Sequence, residues 1–146
     1  MSGVEFLSAV MKGELPPAPM VELVGLRLEL ADEGRVIFSM LPAEFQYNTM
    51  SVVHGGAIAT LVDTALGCAV LSTMPQGASH TTVELHMNFV RPVTAATGRI
   101  ACEAIVLHSG RRIATAEAKV RDEAGNLYAH ASTTCSILTP PRSEAR

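Results

Sequence analysis

The chain has 146 residues, of which 48% are hydrophobic and 17% are charged, and its formal net charge is −3. This length suits one domain, residues 1–146, and the composition is too apolar for a disordered protein. The negative charge and the lack of a run of lysines and arginines argue against a nucleic-acid partner, which requires cations along its phosphates. The apolar excess suggests that part of the surface is covered by self-association.

The cysteines and the N-terminus bear on where the protein resides. Cys68, Cys102 and Cys135 are odd in number and widely spaced, without a Cys-x-x-Cys pair, so we expect reduced cysteines and no disulfide framework. Residues 1–17 carry charged side chains and no long apolar run, which indicates neither an export signal nor a membrane span. A cytoplasmic protein with no membrane partner is therefore expected.

The N-terminal third predicts a cover helix and a hairpin. In residues 1–17, apolar side chains recur at helical spacing until a glycine and two prolines end the pattern, which predicts a short N-terminal cover helix. Apolar residues then alternate with polar ones over residues 26–30 and again over 36–40, on either side of an Asp-Glu-Gly turn. This alternation is typical of two antiparallel strands.

One long helix is predicted from Gly56 to about Ser72, after an irregular loop over residues 42–53. The segment is rich in alanine and leucine, contains no proline and is long enough for four turns. Because it is apolar on nearly all sides, we expect other elements to enclose it.

Strands are predicted after this helix, because apolar and polar residues alternate between turn-forming segments. The expected strands are residues 82–89, 99–107, 112–121 and 127–138. A tail over residues 139–146 is expected to be loose. Strands joined by short turns around one buried helix describe an α+β fold in which a curved antiparallel sheet wraps the helix. An open sheet edge of this kind favours pairing with a second copy.

A motif lies at the start of the long helix. Asn48 is followed six residues later by His54-Gly55-Gly56, and then by Asp63 within the helix. This order resembles the signature of hotdog-fold thioesterases of the phenylacetyl-CoA thioesterase-like group. In place of the glycine that this family often has three residues before the histidine, the chain has Ser51.

The resemblance extends over roughly residues 20–138. It includes the strand end Phe89-Val90-Arg91-Pro92, the Gly110-Arg111-Arg112 turn and the hairpin at residues 122–126. It implies a hotdog fold, an acyl-CoA thioesterase activity without a metal or redox cofactor, and an acyl group bound at a subunit interface.

Gly55 and Gly56 stand where the helix begins. Backbone N–H groups there lack intrahelical acceptors and the helix dipole is positive, so an oxygen that acquires negative charge is favoured. Glycine also lets a substrate carbonyl approach the backbone. The alternative is a tight loop-to-helix junction without chemistry. The resemblance implies that the Gly55 N–H polarises the thioester carbonyl, and Gly56 is a candidate substrate contact.

Asp63 is the acidic residue of the predicted helix, and Ala59, Thr60 and Gly67 leave space beside it. A carboxylate in apolar surroundings is costly unless it is hydrogen-bonded. It could therefore be structural, bonded to Thr60, Thr64 or a strand. The resemblance implies instead that Asp63 is a general base or a carboxylate nucleophile, and the sequence does not distinguish between these two roles.

Three supporting residues are inferred from the same resemblance. Thr82 stands where some family members use a serine hydroxyl to hold the attacking water, although a β-branched residue also suits a strand. Asn48 either donates to the thioester oxygen or fixes the loop, and His54 is expected to orient that loop.

Arg91, Arg111 and Arg112 are candidates for binding the phosphates of coenzyme A, because guanidinium groups match phosphate oxygens. Solubility at the surface is the alternative for each. The remaining histidines lack metal-ligand spacing and no Gly-x-Ser-x-Gly elbow occurs, so zinc and serine-hydrolase chemistry are disfavoured.

The spacing of the two central residues predicts an oligomer. Eight residues of helix separate Gly55 from Asp63 by ~12 Å along the axis, too far for both to contact one thioester. We therefore expect a homodimer, or a homotetramer built as a dimer of dimers, in which Asp63 meets Gly55 of a second subunit. The alternative functions are a non-catalytic acyl-CoA-binding module and a hotdog hydratase or dehydratase.

Overall fold

The computed structural model describes residues 1–139, so the predicted tail beyond Thr139 lies outside the described residues. The helices and strands follow one another along the chain in this order: α1 (Gly3–Met11), α2 (Pro19–Val24), β1 (Leu26–Asp32), β2 (Arg35–Met40), α3 (Gly55–Ser72), β3 (Ser79–Phe89), β4 (Ile100–Ser109), β5 (Ile113–Asp122) and β6 (Leu127–Leu138). The predicted long helix is confirmed, and it begins one residue earlier, at Gly55.

The six strands form one antiparallel sheet in the order β1-β2-β4-β5-β6-β3. Tight turns join the two strands of each hairpin. Gly34 and Gly125 adopt positive φ in two of these turns, a conformation that glycine reaches without a steric penalty. The segment from β2 to β4 carries α3 and β3, and β3 returns to pair with β6. The predicted α+β arrangement, a hotdog fold with one long central helix, is confirmed.

Helix α3 packs on the inner face of the sheet. Small side chains on β5 allow this close approach, because Ala114, Ala116 and Ala118 are all buried. By length and composition α3 could cross a membrane. Its buried face contacts the sheet, however, as in the core helix of a soluble fold. The buried residues of α3 are Ile58, Leu61, Val62, Ala65, Leu66, Ala69, Val70 and Ser72.

Helix α1 contacts the C-terminal end of α3. The Gly3 N–H donates to the carbonyl of Met74 (3.0 Å). A Cβ at position 3 would stand 1.7 Å from the Leu71 carbonyl oxygen, so this contact requires glycine. Helix α2 was not predicted, although Pro19 at its first turn and Gly25 with φ of 80° after its end are the usual boundary signals.

Strand β3 departs from the simple alternation that its sequence suggests. Its register with β6 shifts between Thr82 and Glu84, so Val83 is the extra residue of a β-bulge and is 61% exposed. The Thr133 hydroxyl donates to the Glu84 carbonyl (2.7 Å) and satisfies the backbone there. Bulges of this kind redirect side chains next to functional sites.

Candidate active site

Asp63 and Thr82 are in direct contact. The Thr82 hydroxyl donates to Asp63 Oδ1 over 3.1 Å, and this bond joins the middle of α3 to β3. Thr60 does not bind Asp63, because its hydroxyl donates to the Gly56 carbonyl (2.9 Å). The second carboxylate oxygen of Asp63 therefore has no side-chain or backbone partner among residues 1–139. Asp63 is half-buried and Thr82 is exposed, so a ligand can reach the pair from outside.

Two cysteines near this carboxylate are poor nucleophiles. Burial, together with the Asp63 charge, raises the pKa of the Cys68 thiol to about 12. Burial likewise raises the pKa of Cys135, against the opposing hydrogen bonds from Thr133 and Thr82. Because the thiolate is the reactive form of cysteine, both side chains stay protonated and inert at neutral pH. Asp63 therefore remains the candidate for acid–base chemistry at this site.

The start of α3 presents one free backbone donor. His54 is the N-cap of the helix, and its Nδ1 accepts from the Gly56 N–H (2.8 Å). The His54 N–H donates to the Gln46 carbonyl (2.7 Å), which anchors the cap to the preceding loop. Gly56 therefore offers no free N–H, whereas the Gly55 N–H has no acceptor within the described chain. Gly55 is therefore the candidate oxyanion donor at this helix end.

Phe89 and Arg91 border the Gly55 donor. A Cβ added to Gly55 would lie 3.5 Å from the Phe89 ring, so the ring stands directly over the helix start. Gly55, Phe89 and Arg91 line a cavity of about 310 Å³. The Arg91 guanidinium lies 5.5 Å from the centre of the Tyr128 ring, a cation–π contact that orients it. Arg91 is thus brought to the Gly55 end of α3.

Asn48 shapes the loop before α3. Its Oδ1 accepts from the N–H groups of Met50 (2.9 Å) and Val52 (3.4 Å). Its own N–H donates to the Val52 carbonyl (2.8 Å). Ser51, at the position where the family often has glycine, has φ of 60°, which is the left-handed region that glycine favours. Of the two roles expected for Asn48, this geometry supports loop fixation.

Arg111 and Arg112 lie at the opposite end of α3 from Arg91. Both are exposed and line a cavity of about 850 Å³ together with Thr73 and Ser109, close to the last turn of the helix. The three candidate phosphate-binding arginines therefore form two separate groups.

One side of α3, the flank that packs against β3, carries the candidate site residues of this helix. Gly55, Asp63 and Gly67 follow one another along this flank at intervals of eight and four residues, a row that turns by ~40° around the axis for every four residues. They contact Phe89, Thr82 and His80 of β3, in that order. Helix and strand therefore run antiparallel. The ~12 Å rise between Gly55 and Asp63 keeps them apart within one chain.

Two residues of this flank were not predicted as part of the site. Phe89 and His80 share with Thr82 the face of β3 that points towards α3. The sequence signal that could have identified these two residues is the alternation of β3, since residues on one face of a strand repeat every second position. The bulge at Val83 obscures that repeat between His80 and Phe89.

Comparisons with known proteins identify a family for this chain. The family model described as "Thioesterase superfamily" matches residues 50–129, more than half of the chain. A Halobacterium salinarum protein named "Putative esterase" is 40% identical over 70 residues, which cover 47% of this chain. The aligned segment covers only 44% of that relative's length.

Solved structures show the same fold. The conserved protein PA5202 of Pseudomonas aeruginosa has 33% identity and a TM-score of 0.79, with 84% of this chain and 95% of that one covered. PaaI of E. coli, from the phenylacetic acid degradation operon, has 20% identity and a TM-score of 0.81, with 93% and 94% covered. The fold, the matched segment and the family model agree, and the chain belongs to the thioesterase superfamily of hotdog-fold proteins.

Proposed function

We propose that this protein hydrolyses an acyl- or aryl-CoA thioester to the free acid and coenzyme A. The observation that carries the proposal is the Asp63–Thr82 pair, a carboxylate with one oxygen held and the other free, on the same helix flank as the unpaired Gly55 N–H. A general base and an oxyanion donor are the two groups that thioester hydrolysis requires. Family membership supports thioester hydrolysis as the reaction class.

The proposed reaction uses water as its second substrate. Asp63 Oδ2 takes a proton from a water molecule while the water oxygen forms a bond to the thioester carbon. The Gly55 N–H donates to the carbonyl oxygen as that oxygen gains negative charge. The C–S bond then breaks and its electron pair leaves on sulfur. Thr82 keeps the carboxylate oriented and, as it lies beside the free oxygen, helps to hold the water.

A homodimer would complete this site. The eleven-residue strand β3 lies at one end of the sheet and none of its residues is buried. A long unpaired edge of this kind favours pairing with another strand. Two-fold pairing of β3 with the same strand of a second copy would bring Asp63 of one chain towards Gly55 of the other.

The bulge in β3 supports one particular register. If the two-fold axis passes through His86, then Leu85 pairs with Met87 of the second copy. With Val83 bulged out, Thr82 then comes opposite Phe89, and both side chains point towards the helices. Since Thr82 contacts Asp63 and Phe89 covers Gly55, this register aligns the base of one subunit with the oxyanion donor of the other.

Arginines at both ends of α3 are proposed contacts for coenzyme A. In the dimer, Arg91 of the subunit that supplies Gly55, or Arg111 and Arg112 of the subunit that supplies Asp63, would meet the phosphates. No metal or redox cofactor enters the proposed reaction. We propose the cytoplasm as the location, since acyl-CoA substrates and reduced cysteines belong there.

A thiol-release assay over short, medium, long-chain and aromatic acyl-CoAs tests the proposal and defines the acyl group. D63N should lower kcat by about 10²- to 10⁴-fold and keep the oligomer and the circular dichroism spectrum of the parent. E117Q, a carboxylate-to-amide change on the outer face of the sheet, is the matched control and should retain turnover. Full turnover by D63N, or binding of every thioester without hydrolysis, would refute the assignment.

A further inference from the structure

His80 belongs to the surroundings of Asp63. It lies two residues before Thr82 on β3, so both side chains point towards α3 and their positions are ~7 Å apart along the strand. Its ring contacts Gly67, which follows Asp63 by one helical turn, ~6 Å along the axis. His80 therefore stands one step beyond Thr82 on the same flank, near enough for the Asp63 charge to act on its imidazole.

Gly67 makes room for this imidazole. A Cβ at position 67 would lie 3.1 Å from His80 Nε2, which is tighter than an ordinary contact. A glycine in the interior of a helix is unfavourable compared with alanine. The close fit of the ring against α3 explains why a side chain is absent here, and it holds the imidazole beside the carboxylate.

The electrostatic surroundings keep the imidazole neutral near pH 7. Burial lowers the pKa of His80 below its ordinary value of 6.5, and the Asp63 charge partly opposes this shift. On its own strand the Thr82 hydroxyl follows two residues later, and on β6 His80 pairs with Ile137, two residues from the protonated Cys135 thiol. A neutral imidazole can accept a proton on one nitrogen and release one from the other.

We propose that His80 is a proton-relay residue for Asp63. When Asp63 has taken the proton of the attacking water, the imidazole accepts that proton through a second water molecule and its other nitrogen releases one to solvent. No electrons are transferred, and the departing thiolate is protonated separately by solvent. The relay returns Asp63 to the carboxylate form for the next turnover. This inference rests on the proposed thioesterase activity and on Asp63 as its base.

Kinetics of H80Q and H80A test the relay. H80Q should lower kcat by about 10- to 100-fold and leave KM within about twofold, because the relay acts after substrate binding. Added imidazole should restore part of the kcat of H80A, and the limb of the pH profile that belongs to the His80 imidazole should be missing in H80Q. H130Q, on the outer face of the sheet, is the matched control and should behave like the parent protein.

The kinetic results that would contradict the relay differ from those that would contradict the proposed function. An unchanged kcat in H80Q, a rise in KM alone, or a loss of kcat without imidazole rescue would each overturn the relay. If D63N loses activity in the same series while H80Q does not, the proposed function stands and only the relay fails.

An activity-independent measurement separates the two proposals further. In an NMR titration of the His80 ring, D63N should lower the imidazole pKa relative to the parent protein, because it removes the charge that opposes the effect of burial. An identical pKa in D63N would refute the coupling even if the protein released no thiol from any substrate.

Discussion

The Thr82 hydroxyl and Asp63 Oδ1 lie 3.1 Å apart, and this hydrogen bond connects the edge strand of the sheet to the central helix. The bond forms at the bulge where β3 changes its register with β6. The orientation of the carboxylate therefore depends on the same strand that is available to pair with a second copy. Loss of either the Thr82 hydroxyl or the pairing of the β3 edge should change the orientation of the Asp63 carboxylate.

Removing the Thr82 donor should slow turnover without unfolding the protein. T82V keeps the β-branched shape and deletes the hydroxyl. A hydrogen bond to a charged group contributes about 1.5–3 kcal/mol, and exposure of this one reduces that value, so we expect kcat to fall roughly 10-fold. T82S keeps the donor and should stay close to the parent. Equal kinetics for T82V and T82S would rule out a role for the hydroxyl.

Two substitutions at Gly55 should distinguish the contribution of its backbone N–H to turnover from the contribution of its missing side chain. G55P deletes the donor at the first helical position, where proline is tolerated, and the extended His54 backbone (ψ of 133°) suits the residue before a proline. Loss of one oxyanion donor should lower kcat by about 10²- to 10³-fold. G55A keeps the N–H, and its Cβ would meet the Phe89 ring at an ordinary 3.5 Å.

Circular dichroism and kcat, measured on both Gly55 variants, show whether turnover requires the backbone N–H of Gly55 or only the absence of a side chain. G55A should retain most of its activity, whereas G55P should be folded and slow. A folded G55P with the turnover of G55A would assign the oxyanion to another group.

The proposed dimer register predicts a specific cross-link. Opposed residues of an antiparallel pair have Cα atoms about 4.5–5.5 Å apart, within the range of a disulfide. H86C should therefore form a disulfide-linked dimer under mild oxidation, visible on a non-reducing gel. N88C alone should not, because its expected partner is Glu84, whereas a mixture of N88C and E84C should. Faster cross-linking of N88C alone than of H86C would place the two-fold axis elsewhere.

Ser51 should be a site of stored backbone strain. Its φ of 60° costs a residue with a Cβ roughly 1–2 kcal/mol. S51G should therefore raise the free energy of unfolding by about 0.5–1 kcal/mol in urea titrations, with kcat unchanged. T49G, in the same turn but without a positive φ, is the control and should be neutral or destabilising. A loss of stability in S51G would show that the serine side chain contributes more than its backbone costs.

Much of this fold was predictable because the apolar pattern and the turns agree. The alternation over residues 112–121 predicts a strand with one apolar face, and the residues of that face, Ala114, Ala116, Ala118 and Val120, are all buried. The continuous apolar segment of α3 predicted the long helix correctly, although the structure buries eight of its eighteen residues rather than enclosing it on nearly all sides. Along β5 one local period matches one buried face, so the sequence alone carries the information.

The site was less predictable, because its geometry depends on register and on close approach. Asp63 and Thr82 are nineteen residues apart in sequence, and their contact requires the bulge at Val83, which no local pattern marks. The fit of His80 against Gly67 arises only when β3 lies along α3. Helix α2 did carry its boundary signals at Pro19 and Gly25, but its six residues are too few for a clear helical period.

In the proposed dimer, each active site takes Asp63 from one subunit and Gly55 from the other. Mixing D63N with G55P after joint refolding tests it directly, since a mixed dimer has one site with both groups intact. Random pairing should restore about a quarter of the parental kcat per chain, because half of the dimers are mixed and each has one intact site of two. Activity no greater than the sum of the two separate variants would contradict the shared site.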